Sequence, residues 1–135
     1  MIFIKKYNKK LINEWNKFIH SSNNGNLFNN QLFLSYHLDR SFNNHSLIFY
    51  SKNKIIAVLP AAIHIINKKN VLCSHLGASY GGLIIALDTK FSDLNQIINL
   101  LDNYCCENNF NSINFFFLCH PFLNDFLNKF IIFKN

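Results

Sequence analysis

Glycine, proline and arginine are nearly missing from this 135-residue chain, which holds four, two and one of them. No linker divides the chain, and no internal repeat or low-complexity stretch appears beyond a bias to Asn. No Cys-x-x-Cys occurs, and Cys73, Cys105, Cys106 and Cys119 lack the spacing of a metal site. No metal is expected, and buried free thiols are. Acidic side chains number seven, with only two Glu, Glu14 and Glu107, both on predicted helices; this disfavours a paired-carboxylate hydrolase. No apolar run approaches the roughly 20 residues of a membrane-spanning helix. The N-terminus, MIFIKKYNKK, places its apolar residues before its lysines, the reverse of a secretory signal. A cytoplasmic protein is the expectation.

What is present is apolar and amide-rich. Half the residues are hydrophobic and 15% are charged, which excludes a disordered tail and allows one core, hence a single domain over residues 1–135. Asn occurs 23 times and Ile 17 times. The net charge of +6 rests on twelve Lys and one Arg. Such a bias is what an AT-rich coding sequence produces. The lysines are scattered in pairs, whereas nucleic-acid readers concentrate Arg, whose planar fork suits phosphate and guanine. A basic RNA-binding domain is the weaker alternative.

Short β-branched and aromatic runs predict strands at Met1–Lys5, Ser46–Tyr50 and Ile55–Ile66, the last kinked at Pro60. Further strands are expected at Val71–Ser74, in the return through Leu83–Leu87 and at Ser112–Leu118, the latter apolar enough to be buried on both faces. Leu11, Ile12, Trp15, Phe18 and Ile19 recur at helical spacing from Lys10, and a second helix is expected over Asn30–Arg40. Ser92–Asn108 carries the strongest helical pattern, through Leu94, Ile97, Ile98, Leu101, Tyr104 and Cys105. Pro121 opens a short helix, and Ile131–Phe133 starts a last strand. Turns fall at 51–54 and 67–70. The order β-α-α-β-β-β-α-β-α-β predicts an α+β fold, a mixed and largely antiparallel sheet covered by helices. Trp15, Phe18, Ile98, Leu101 and Phe116 are expected in the core.

Three of the four glycines lie in one segment, Ser74-His75-Leu76-Gly77-Ala78-Ser79-Tyr80-Gly81-Gly82. Glycine is needed where backbone takes positive φ or approaches a partner closely. The segment reads either as a bulged, tightly turned strand pair or as a site. In a site, His75 has a base of suitable pKa and Tyr80 a donor for a developing oxyanion. Arg40, the only arginine, follows Asp39 at the end of the second helix; it suits a bidentate contact to carboxylate or phosphate, or else a helix C-terminus. No P-loop, Rossmann fingerprint, Gly-x-Ser-x-Gly elbow or His-Glu-x-x-His helix occurs.

From Trp15 to Pro121 the chain resembles Fem-type (FemAB-like) proteins of the GNAT acyltransferase superfamily. The resemblance is carried by Trp15–Ile19, Asn24–Phe28, Phe33–Arg40, Ser46–Tyr50, Ile56–Ala61 and above all by Ser-His-x-Gly-x-x-Tyr-Gly-Gly at Ser74–Gly82. It implies a GNAT-like domain that transfers an acyl or aminoacyl group to an amino-sugar or peptide acceptor in cell-surface polymer synthesis. In that reading His75 and Tyr80 are catalytic, and Arg40, Ser74, Gly77, Ser79, Gly81 and Gly82 bind substrate. The donor implied is acetyl-CoA or another acyl donor, with aminoacyl-tRNA used by Fem-type relatives. The Arg/Gln-x-x-Gly-x-Gly/Ala loop that holds the coenzyme's pyrophosphate in ordinary members is absent between Tyr80 and Ser92. Fem-type proteins carry two such domains, so a second GNAT-like domain or chain is the expected partner, with this chain the N-terminal half. The alternative is a non-catalytic remnant or binding module of the same fold.

Overall fold

The computed structural model describes residues 1–35, 42–74 and 81–115. Within them the chain forms β1 (Ile2–Lys6), α1 (Ile12–Ser21), α2 (Gln31–Ser35), β2 (Asn43–Asn44), β3 (Leu47–Ser51) and β4 (Lys54–Leu59). There follow β5 (Ala62–Ile66), β6 (Lys69–Ser74), β7 (Ile84–Ile85), α3 (Phe91–Glu107) and β8 (Ser112–Phe115). The expected short helix and last strand after residue 115 lie outside the described residues.

The strands make two sheets, β1-β3-β4-β7 and β2-β5-β6-β8. All pairs are antiparallel except β6 with β8. The architecture is α+β with a mixed, mainly antiparallel strand arrangement, as the element order predicts. The run expected as one long strand, Ile55–Ile66, divides at Pro60, which has no N–H for a ladder. Its first half stays in the first sheet and its second half joins the other. The same exchange separates β2 from β3 and β6 from β7; with β1 to β2 and β7 to β8, the chain changes sheet five times.

Alternation along the first sheet feeds two cores. Ile48, Tyr50, Val58 and Ile84 meet Trp15, Phe18 and Ile19 of α1. The neighbouring Leu47, Phe49, Ala57 and Leu59 turn the other way, toward Ile97, Leu101 and Cys105 of α3. Trp15 is fully buried, donates from Nε1 to the Asn29 carbonyl at 2.9 Å and meets the Tyr7 ring edge-on at 5.4 Å. The buried line of α3 is 97, 101, 105, and Ile98 is only half-buried, one position off that line. Phe116 lies outside the described residues. The expectation that the strand from Ser112 is buried on both faces fails within its described part: Ile113 is buried and Asn114 exposed. Alternate side chains of a strand face opposite ways, so Ile113 enters the core of α3 while Asn114 turns to the other face.

With so little glycine, asparagine shares the positive-φ positions. The two hairpin turns have Lys52 and Asn53 at φ 48° and 64°, and Asn67 and Lys68 at 50° and 63°, as type I′ turns require at both central residues. Asn109, at φ 59°, closes α3. Its N–H reaches the Cys106 carbonyl and the Phe110 N–H reaches Cys105, the paired bonds of a Schellman cap. That cap turns Phe110 into the core beside Cys105.

Candidate functional site

Three of these exchanges meet at one seam, at His45–Ser46, at Pro60–Ala61 and where Ser74 meets Gly82. A buried polar network fills it. Ser46 Oγ accepts from the Ala61 N–H and from Gln31 Nε2, each at 3.1 Å. Gln31 Oε1 in turn accepts from Asn44 Nδ2 at 2.8 Å. The Ser74 hydroxyl, fully buried, donates to the Pro60 carbonyl and accepts the Gly82 N–H at 2.8 Å. Gly82 sits at φ 98°, a conformation that disfavours any side chain. The glycine expected to serve a special backbone conformation does so here. Ser74 thus pins the two ends of the glycine-rich segment to the kink at Pro60, and both bonds of its hydroxyl go to backbone.

Of the residues singled out in the sequence, Ser74 and Gly82 are brought together, and Gly81 stands beside them, half-buried. His75, Gly77, Ser79, Tyr80 and Arg40 lie outside the described residues.

A histidine that no local pattern marks lies at the same seam. His45 is 7% exposed, its N–H donates to the Ala61 carbonyl, and its Nε2 is 2.8 Å from the Tyr104 hydroxyl. Phe110 packs edge-on against the ring at 5.1 Å. Nδ1 is buried with no hydrogen-bond partner among the described residues. Burial first, and the Lys6 cation second, lower the imidazole to about 4, so it is neutral at pH 7. Burial also raises the Tyr104 phenol, with Cys105 adding to it. The pair is a neutral hydrogen bond joining α3 to the seam. Only the return of α3 and the Asn109 cap bring Tyr104 and Phe110 to His45, across about 60 residues of sequence, and periodicity carries no such signal.

The two buried thiols, Cys73 and Cys105, are quiet. Cys105 is pushed up to about 12 by burial, then by Asp102 and Cys106, and burial raises Cys73 as well. Among the described residues no three His, Cys, Asp or Glu side chains gather as a metal site requires, and no helix is long and apolar enough to cross a membrane. Between β7 and α3 the chain runs Ala86-Leu87-Asp88-Thr89-Lys90 without a glycine. At the start of α3 the Lys90 N–H donates to Asp93 Oδ2 at 3.3 Å, which holds a carboxylate in the helix's first turn.

No protein-family model and no curated protein matches the chain. Solved structures do. An N-acetyltransferase from Staphylococcus aureus Mu50 aligns at a TM-score of 0.53 and 17% identity, over 84% of this chain and 69% of that one. An aminoglycoside acetyltransferase from an uncultured soil metagenomic sample, in complex with trehalose, aligns at 0.58 and 13%, over 96% and 84%. Glucosamine-6-phosphate N-acetyltransferase from Arabidopsis thaliana aligns at 0.54 and 13%, over 100% and 94%. The fold is that of the GNAT acetyltransferases. The segment before α3, without glycine and leading into a helix with a carboxylate in its first turn, does not fit the pyrophosphate of acetyl-CoA.

Proposed function

We propose that the chain is an acyltransferase domain that moves an acyl group onto an amine of a small-molecule acceptor. The observation that carries the reading is the fold, shared with acetyltransferases that differ widely in sequence. The glycine-rich segment, held at the seam by Ser74 and Gly82, supports the assignment of the reacting centre. In the reaction the acceptor nitrogen bonds to the acyl carbon, the thioester or ester bond breaks, the nitrogen's proton passes to a base and the leaving group takes up a proton. His75 would be that base and Tyr80 the donor to the oxyanion or leaving group. Arg40, Ser74, Gly77, Ser79, Gly81 and Gly82 would line the acceptor side. Within this reading the acceptor is an amino-sugar or peptide of cell-surface polymer synthesis, as for Fem-type proteins, and a second GNAT-like domain or chain completes the cytoplasmic enzyme.

The carboxylate in the first turn of α3 favours a second reading, a binding module of the same fold that has lost its donor site. Both readings expect acetyl-CoA to bind weakly or not at all; saturable binding in the low micromolar range by calorimetry, about −8 kcal/mol, would overturn that. The deciding experiment is mass spectrometry of an amino-sugar and peptide panel incubated with the chain and either aminoacyl-tRNA or acyl thioesters. The enzyme reading expects acylated amine that falls in His75→Ala and Tyr80→Phe at unchanged melting temperature. Equal product with and without the wild-type chain leaves the binding module standing.

A further inference from the structure

A cleft of about 290 Å³ opens between α1 and the loop that follows it. Asn16, Ile19 and His20 line one wall, at helical spacings of three and four; Asn26, Leu27 and Asn30 line the other. Gly25 lets the loop close at the cleft's end, since a Cβ there would stand 2.3 Å from Ser22 Oγ and 2.7 Å from the Ile19 carbonyl.

Most oxygens of this cleft already accept one bond. Asn16 Oδ1 accepts from the Gln31 N–H at 3.4 Å, Asn26 Oδ1 from Phe28 at 2.9 Å and Asn30 Oδ1 from Leu32 at 2.8 Å. A backbone N–H bonds only an acceptor, so each amide is fixed with its oxygen turned inward to the chain. The carbonyls of Ile19, Asn26, Leu27 and Asn30 also accept backbone bonds. What remains is three Nδ2 groups and the exposed His20 ring, none with a partner among the described residues. Among the described residues no acidic side chain lines the cleft.

We infer that this cleft binds a small oxyanion, a carboxylate or phosphate group carried on a small molecule. An oxyanion brings acceptors only and can satisfy every free donor. A sugar hydroxyl arrives with an O–H as well, which must share oxygens that mostly hold one donor already, so it gains less here than a group that only accepts. The net charge of +6 favours an anion over a cation. The site does not depend on acyl transfer.

The test is NMR of the Asn side-chain amides during titration with sodium acetate, inorganic phosphate or glucose at ionic strength matched with sodium chloride. Acetate or phosphate should shift Asn16, Asn26 and Asn30 saturably, and their order of affinity separates the two anion sources. Leu27→Glu, at a position 67% exposed, sets a carboxylate at the rim and should weaken the anion by about tenfold or more. His20→Ala, also on the surface, should weaken it by a smaller factor. Equal shifts with chloride alone, shifts as large with glucose, or unchanged affinity in both folded variants would overturn the assignment.

Discussion

The two sheets share a chain but are built differently. The first is sandwiched: α1 covers one face and α3 the other, and every residue from Leu47 to Tyr50 is buried. The second is covered where it meets the seam and fades toward its hairpin, where β5 runs from buried Ala62 to exposed Ile65 and Ile66. Cysteine, leucine and serine at the end of β6 are buried, while Lys69 and Asn70 at its start are not. Stability is therefore concentrated in the first sheet and the seam, and the 65–70 hairpin tolerates change.

That contrast can be broken by substitution. Trp15→Ala empties the α1 core and leaves the Asn29 carbonyl without its donor; a loss of about 3–5 kcal/mol is expected by chemical denaturation, with Leu101→Ala on the α3 side costing about 2–5 kcal/mol. A loss below about 1 kcal/mol in either would mean that the sheet is not sandwiched.

Acid should strike the seam next. The folded pKa of His45, about 4, lies below its ordinary value of 6.5, so its contribution is full above that ordinary value and is lost as pH falls through the folded one. The upper bound is about 3 kcal/mol between pH 6.5 and 4. Unfolding free energies measured against pH should flatten over that window in His45→Phe; an unchanged slope would place the acid sensitivity elsewhere.

Ser74→Ala removes an acceptor from the Gly82 N–H and a donor from the Pro60 carbonyl, and should cost about 1–3 kcal/mol. The smallest effect belongs to Ile65→Lys on the open end of the second sheet, within about 0.5 kcal/mol of wild type. A larger loss there would show that the exposed hairpin is covered in solution.

The helices α1 and α3 were legible by their period and the strands β1, β3 and β4 by β-branched and aromatic runs; Lys52–Asn53 and Asn67–Lys68 fall where the sequence predicts turns. Pro60 announced the break in the long strand but not that its halves belong to different sheets, since that depends on which partners arrive. Ile98 was misjudged because a helix stripe fixes the buried face only to within one residue at its edge. Asn114 was masked by its apolar neighbours. At the candidate site, the clustering of Gly81 and Gly82 correctly marked unusual backbone at Gly82, whereas His45 owes its burial to Tyr104 and Phe110, far along the chain. The donor-lined cleft was hidden by the amide bias itself, in which Asn16, Asn26 and Asn30 look like any other asparagine.

The threefold crossing at the seam has a bearing on how the molecule comes apart. Neither sheet owns its strands: β4 and β5 are one continuous run of chain, and β2 and β3 are separated only by His45–Ser46. Peeling the second sheet open pulls directly on the ladder of the first. Amide hydrogen exchange under native conditions should then resolve one slow cooperative unit containing Phe49, Val58 and Leu72 together, rather than two units that open independently. Because the partners that meet there are drawn from the regions near 45, 60 and 74, closure of long loops must precede the reward of pairing, and slow folding relative to a helical bundle of equal length is the kinetic signature of that stitching.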